Sequence, residues 1–199
     1  MALNNAPKKC IGLLLAVLSL SACTTVPVET NEEYSAAERK YLYDQSSWSF
    51  EGRLAVSSEK ESWSANVAWD HDSVVEKLKL SGPLGQGAVL LTLTNGKVAI
   101  DHGNGNIQYS DKPEEIINRE LGVFVPVNSL RFWVLGLPEP VNIYQLVGQG
   151  FVQSGWLVEF KQMQSIEGKS MPKKIEINKQ GVRLKLFVDS WSINGAESK

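Results

Sequence analysis

The sequence predicts a mainly β protein in which one curved antiparallel sheet is interrupted by a pair of helices. Apolar and polar residues alternate through residues 48–57 and 63–69, as in strands that have one buried face. Asn95-Gly96 is a strong signal for a two-residue hairpin. Apolar residues at helical spacing mark two short segments after residue 110. Together these features favour a single sheet over a helical bundle.

The N-terminus has the pattern of a secretory signal. The basic pair Lys8-Lys9 precedes an apolar run over residues 11–20, which is shorter than the roughly 20 apolar residues of a membrane-spanning helix. Leu20-Ser21-Ala22-Cys23 resembles the lipobox of bacterial lipoproteins. The resemblance implies that a signal peptide, residues 1–22, is removed and that Cys23 is acylated. The alternative is an ordinary signal peptide with an incidental cysteine.

A short tether and one domain follow from this cleavage. Residues 23–31 are polar and contain proline, which is typical of a flexible tether, and residues 32–199 have the length of a single domain. Thr24, rather than Asp, follows the cysteine, which by resemblance to bacterial lipoproteins implies the periplasmic face of the outer membrane. Such an anchor of two or three acyl chains holds almost permanently.

Charge and cysteine content exclude some classes of function and structure. Without Lys8 and Lys9 the chain keeps 18 basic residues against 22 acidic ones, a net charge of −4, so nucleic acid is not an expected partner. Cys10 leaves with the signal and Cys23 is modified, so no disulfide is expected. The apolar core must therefore supply the stability.

The domain begins with a predicted helix over residues 32–42, where Tyr34, Ala37 and Tyr41 have roughly helical spacing. After the alternating residues 48–57 and 63–69, the pattern resumes beyond a turn cluster at residues 70–73. The remaining strands are predicted at 76–80, 88–94, 98–100, 107–109, 143–147, 151–153, 156–162, 173–178 and 182–193.

Two helices are predicted between these strands. Asp111 is the expected N-cap of the first, Pro113 lies in its first turn, and Gly122 can end it. The second is expected to begin after Asn128, with an apolar face spaced at i, i+3, i+4 and i+7. Gly136 and Pro138 follow that face and stop the helix.

The residues predict no enzyme, metal site or cofactor. The two histidines, His71 and His102, each stand beside Asp in a predicted turn, where a solvated side chain is the expected state. Zinc sites need three or four ligands at set spacing, and no nucleophile elbow or phosphate loop is present in the sequence. The apolar sheet face indicates either a packed core or a lidded apolar hollow, and the pattern alone leaves both open.

The chain contains the motif Ser81-Gly82-Pro83-Leu84-Gly85 and a long motif from Pro126 to Pro138. Both motifs resemble the LolB family of outer-membrane lipoproteins. Shorter matches are Gly52-Arg53-Leu54, Lys173–Asn178 and Val188–Trp191. The resemblance covers essentially the whole mature chain, and it implies an open antiparallel half-barrel with a helical lid over an apolar cavity. The periplasmic lipoprotein carrier LolA shares this fold.

The resemblance also implies functional residues. The loop of Pro83, Leu84 and Gly85 would protrude, with Leu84 acting at the membrane. Candidate lid residues are Ile116, Ile117, Leu121, Leu130, Trp133 and Val134. Candidate cavity-wall residues are Phe50, Leu54, Trp63, Val67 and Trp69. The inward face of the strands cannot be chosen from sequence, because a one-residue slip reverses it.

The function that the resemblance implies is transfer without chemistry. A monomer anchored in outer-membrane lipid would accept acylated lipoprotein cargo from the carrier LolA and insert it into the outer membrane. No nucleotide would be hydrolysed. The alternative is a structural envelope lipoprotein that acts as an assembly scaffold and has no ligand cavity. An envelope hydrolase is disfavoured because the sequence offers no catalytic constellation.

Overall fold

The computed structural model describes residues 34–194. The predicted signal peptide 1–22, the tether 23–31 and Cys23 lie outside these residues. Eleven strands form one sheet. They are β1 (Ser47–Ser57), β2 (Ser62–Asp72), β3 (Val75–Ser81), β4 (Val89–Thr94), β5 (Lys97–Asp101), β6 (Ile107–Ser110), β7 (Tyr144–Val147), β8 (Gly150–Gln153), β9 (Trp156–Ile166), β10 (Lys169–Lys179) and β11 (Val182–Asn194).

All strand pairs in the sheet are antiparallel, and the sheet is not closed. The order is β6-β5-β4-β3-β2-β1-β11-β10-β9-β8-β7, so β6 and β7 are its two edges. Neighbouring strands in the sheet are also consecutive in the chain except at the centre, where β1 pairs with β11 in a register that places Trp48 opposite Ile193. The predicted mainly β, single-sheet fold class is confirmed.

The inward face of the central strands is aromatic. Trp48, Phe50 and Trp69 are each at most 5% exposed, and the Phe50 ring centroid lies 5.0 Å from that of Trp191 on β11. Residues of alternate parity on β1, such as Glu51 and Arg53, are exposed. The predicted alternation is therefore present, and the structure identifies the inward set, because a strand sends successive side chains to opposite faces.

Two α-helices, α1 (Pro113–Leu121) and α2 (Val127–Trp133), lie between β6 and β7 in the chain. Gly122 ends α1 with φ 69°, as predicted. The predicted N-cap at Asp111 is wrong: Lys112 is the capping residue, without a side-chain cap bond, and its amide hydrogen-bonds to Ser110 Oγ at 3.1 Å. An Asp111 cap would have bonded the N–H of the second or third residue after it, and the second is Pro113, which has no N–H.

The predicted helix over residues 32–42 is also wrong within the described residues. The chain there forms turns followed by a short 3₁₀ helix, Lys40–Asp44. Tyr34, Arg39 and Tyr43 donate hydrogen bonds to the carbonyl oxygens of Gly136, Leu135 and Pro138, at 2.9, 2.8 and 2.6 Å. These tertiary bonds fix the three side chains and override the helix propensity of the segment.

Gly52 marks a close approach between β1 and β11. The register of this pair shifts between Glu51 and Gly52, and a Cβ at Gly52 would collide with the carbonyl oxygen of Phe187. We expect Gly52→Ala to lower the free energy of unfolding by about 1–3 kcal/mol, because backbone must move to admit the methyl group. Urea denaturation measures this. The control Ser49→Ala, on the same strand, is expected to change it by no more than about 0.5 kcal/mol; equal effects would contradict the prediction.

Candidate functional site

An apolar cavity lies between the inward face of the sheet and the two helices, which we call the lid (α1 and α2). Its volume is about 50 Å³, well below the roughly 300–1,000 Å³ of ordinary ligand pockets. Every lining residue is apolar. They are Phe50, Leu54, Val67, Trp69, Leu78, Leu80, Leu121, Leu130, Val134, Ile177, Leu184 and Leu186. An apolar ligand larger than a few atoms can enter only if the lid moves.

The candidate wall and lid residues fall into two groups. Phe50, Leu54, Val67, Trp69, Leu121, Leu130 and Val134 line the cavity. The other four lie elsewhere. Trp63 is half-buried and its indole N–H donates to the carbonyl of Leu121 at 3.1 Å. Ile116 and Ile117 pack into the core on α1, and Trp133 is fully buried. Trp133 donates its indole N–H to Gln153 Oε1 at 2.8 Å.

Five lining residues were not among the candidates. Leu78 and Leu80 come from β3, Ile177 from β10, and Leu184 and Leu186 from β11. The alternation within the predicted strands 76–80, 173–178 and 182–193 was the signal that could have found them. Using that signal would have required knowing that β11 pairs with β1, a pairing between strands from opposite ends of the described chain.

A buried carboxylate fastens α2 to the sheet. The Glu76 side chain on β3 is only 6% exposed. Arg131 on α2 donates from Nε to Glu76 Oε2 at 2.7 Å, and its Nη2 lies 2.7 Å from the same oxygen. Trp69 donates its indole N–H to Glu76 Oε1 at 3.1 Å. Because His71 Nδ1 lies 3.0 Å from this acceptor-only carboxylate, Nδ1 carries the proton. The ion pair between Arg131 and Glu76 holds α2 against the sheet.

This arrangement corrects the prediction for His71. It is not a solvated turn residue, since β2 extends to Asp72, the ring is half-buried, and it stacks on Trp48 at 4.9 Å. Burial alone would raise the pKa of the Glu76 carboxyl, but hydrogen bonds from His71 and Arg131 and the charge of Arg131 hold that pKa below its ordinary value. Glu76 is therefore an anion that needs both partners.

The loop after β3 presents Leu84 to solvent. Leu84 is 95% exposed and has φ 65° and ψ 18°, a left-handed conformation that costs an L-residue about 1–2 kcal/mol. The one-turn 3₁₀ helix Pro83–Gly85 is held by the bond from Gly82 N–H to the Gln86 carbonyl, at 2.8 Å. An exposed leucine on a strained, hydrogen-bonded tip is a feature that typically marks a functional site.

Across 34–194, no cluster of three or more His, Cys, Asp or Glu side chains is placed to hold a metal ion. In that same part of the chain neither helix has the length and apolar character needed to cross a bilayer.

Glu76→Gln tests the fastening of α2. The neutral amide leaves Arg131 without its anion, so we expect the free energy of unfolding to fall by about 1–3 kcal/mol, which allows for the partial exposure of Arg131. Chemical denaturation at pH 7 measures it. The exposed pair Arg53–Asp189 supplies the control, and Asp189→Asn is expected to cost less than about 1 kcal/mol.

The stability that Glu76→Gln removes should depend on pH. Since the folded state holds the pKa of Glu76 below its ordinary 4.5, the ionised carboxylate contributes its full stability above that pH. The stability difference between wild type and Glu76→Gln should shrink as the pH falls below 4.5, through the lowered pKa of the folded state. A difference that stays constant from pH 7 to pH 3 would contradict this assignment.

Comparisons with known proteins cover the sheet and the lid alike. A family model described as "Outer membrane lipoprotein LolB" matches residues 46–191. The outer-membrane lipoprotein LolB of Halorhodospira halophila is 30% identical over 197 residues, spanning 94% of this chain and 96% of that one. The LolB of Yersinia pestis is 31% identical, spanning 91% and 94%. A solved LolA superfamily protein from Nitrosomonas europaea superposes with a TM-score of 0.46 at 8% identity, covering 76% of this chain and 88% of that one.

Proposed function

The chain belongs to the LolB family of outer-membrane lipoproteins, and we propose that it receives acylated lipoproteins from the periplasmic carrier LolA and inserts them into the outer membrane. In this proposal Cys23 carries the acyl anchor, which holds the domain on the periplasmic face. The protein acts as a monomer and performs no covalent chemistry.

The apolar cavity under the lid carries the proposal. Its walls are apolar throughout, so a bound acyl chain leaves water without stranding any polar group. Each buried CH₂ stabilises the complex by about 0.8 kcal/mol. Burial of part of one acyl chain therefore offsets the loss of contacts between the two short helices and the sheet. At about 50 Å³ the cavity is too small for an acyl chain in this structure, and cargo enters when the lid moves away from the sheet.

The fastening of the lid suits a device that opens without an energy source. Arg131 and Glu76 give α2 one strong polar contact with β3, while the rest of the lid surface facing the cavity is apolar. Incoming acyl chains replace those apolar contacts with equivalent ones. Transfer from carrier to cavity to membrane then needs only a falling free energy, and a tenfold preference at each step takes about 1.4 kcal/mol.

Leu84 serves the last step. At 95% exposed, it gains about 1.5–3 kcal/mol on entering an apolar phase, which is enough for transient dipping into the bilayer but not for anchorage. The strained tip keeps the side chain pointing away from the domain. Insertion of cargo therefore occurs where Leu84 touches the membrane.

Acyl binding is tested with an aliphatic fluorescent probe on a soluble form in which Cys23→Ala removes the anchor. We expect Leu130→Glu to weaken probe binding at least about tenfold, because it puts a charge into an apolar cavity wall. Asn128→Glu, at an exposed position of the same helix, is the control and should bind like the parent. Thermal melting confirms that both variants fold. Absence of micromolar probe binding by the parent itself would favour the scaffold alternative.

Leu84→Glu separates uptake of cargo from insertion. The variant should take cargo from the carrier normally, because Leu84 lies outside the cavity lining, but should fail to deposit it in liposomes, because a charge resists entry into the bilayer. Both steps are measured in one assay, as cargo bound to the soluble form and cargo recovered in liposomes. Val74→Glu is the control, since Val74 is 63% exposed and precedes β3 at the end opposite Leu84. Equal loss of both steps, or normal insertion, would contradict a membrane role for Leu84.

A further inference from the structure

Phe124 is exposed on the connection between the two lid helices. It is 66% exposed, whereas Val123 and Val125 on either side are 6% and 0% exposed. The amide of Val125 donates to Asn118 Oδ1 on α1 at 2.7 Å, which fixes the connection. With both neighbours buried and the backbone tied to α1, Phe124 is held facing outwards and has no local route into the core.

The Phe124 connection lies beside the Leu84 loop. A groove of about 380 Å³ runs between them, lined on one side by Gly82 and Gly87, which bracket the Leu84 loop, and on the other by Leu121 and Gly122, which end α1. Leu84 is two residues beyond Gly82, and Phe124 is two residues beyond Gly122. Two exposed large apolar residues therefore lie each two positions along the chain from one side of this groove.

We propose that Phe124 enters the bilayer beside Leu84 and that this second contact transmits membrane arrival to the lid. The inference rests on the proposed function, since it takes Leu84 as the first membrane contact. The partner of Phe124 is the bilayer, because the proposed anchor at Cys23 always keeps the domain close to it. Ten residues lie between Cys23 and Tyr34, so these two are at most about 40 Å apart along a fully extended chain. Tyr34 is in turn fixed to the domain through the carbonyl of Gly136.

Leu84 and Phe124 play different parts because they belong to different elements. Leu84 is on a loop of the sheet, so its insertion leaves the cavity unchanged. Phe124 joins α1 to α2, whose residues Leu121, Leu130 and Val134 form the cavity roof. Insertion of Phe124 while the sheet is held by Leu84 pulls the roof away from the wall. Cargo is then released at the membrane rather than in the periplasm.

Site-specific fluorescence tests the contact. Cys23 is acylated and the mature chain has no other cysteine, so single cysteines can be labelled on the anchored, full-length protein in phosphatidylethanolamine–phosphatidylglycerol vesicles. We compare Leu84→Cys, Phe124→Cys and Val74→Cys, using a quencher placed on the acyl chains. Labels at 84 and 124 should be quenched and the label at 74 should not. Val74 is a matched control, with 63% exposure against 66% for Phe124.

Phe124→Ser tests the coupling. In the anchored protein, cargo uptake from the carrier should be unchanged, while deposition in vesicles should fall about ten- to a hundredfold, the partitioning preference of a buried aromatic side chain. Amide hydrogen exchange over residues 113–133 should be about tenfold slower in Phe124→Ser than in the wild type on the same vesicles, because the lid is pulled less often. Val74→Ser should match the wild type in all three measurements.

The outcomes separate this inference from the proposed function. Quenching at 84 without quenching at 124, or equal hydrogen exchange in wild type and Phe124→Ser, overturns the role of Phe124 and leaves the Leu84 contact standing. Loss of cargo uptake in Phe124→Ser overturns it in favour of a contact with the carrier protein. Quenching at neither position, with normal deposition by Leu84→Glu, removes the membrane tip from the proposed function and this inference with it.

Discussion

The apolar inward face of an open sheet is the constraint on which the structure depends. A closed barrel would bury that face by itself, but here β6 and β7 are free edges, so Trp48, Phe50, Trp69 and their neighbours need a separate cover. The lid and the N-terminal segment provide it. Because the cover is a different element from the surface it covers, it can move without breaking a single strand pair. A packed core and an openable cavity are thus two positions of one arrangement.

The polar contacts are distributed so that the two ends of the lid differ. Beyond the C-terminal end of α2, Gln153 is 1% exposed and accepts from Trp133 Nε1 and the Glu139 amide, both at 2.8 Å, while its own amide donates to the carbonyls of Glu139 and Asn142 at 2.9 Å. Tyr34, Arg39 and Tyr43 bind the adjacent carbonyls. Burial lowers the pKa of Arg39. The guanidinium packs directly against Gly136, where a larger residue would displace it.

The connection between α1 and α2 is held differently. At its start the half-buried indole of Trp63 donates one hydrogen bond to the Leu121 carbonyl, whereas Gln153 takes part in four. Polar contacts therefore hold the lid more densely near residues 134–139 than near Phe124, where buried Val123 and Val125 hold it by apolar packing. In the proposed function the lid opens at this less polar end, at the groove that also borders the Leu84 loop. The geometry places the opening next to the surface that touches lipid in the proposed function.

Period-two alternation predicted the strands because that signal is local. Residues 48–56 alternate whatever they pair with, and Asn95-Gly96 forms the turn between β4 and β5. Sequence patterns failed to predict the structure where contacts between distant parts of the chain determine it. Tyr34, Ala37 and Tyr41 have helical spacing, but the Tyr34 and Arg39 side chains of the same segment bind carbonyls about a hundred residues away. Glu76 and Arg131 are 55 positions apart, and nothing in either segment indicates the other. The exposure of Phe124 depends on two buried valines whose partners lie elsewhere in the fold.

Lid movement in response to acyl chains is the central claim, and a distance across the cavity tests it most directly. Spin labels at two exposed positions, Asn128→Cys on α2 and Glu51→Cys on the outer face of β1, report that distance in the soluble form. Pulsed electron paramagnetic resonance is recorded with and without a saturating diacylated lipopeptide. We predict that the lipopeptide lengthens the distance between the labels, because a cavity of about 50 Å³ cannot hold an acyl chain with the lid closed. An unchanged distance with lipopeptide bound would contradict the account.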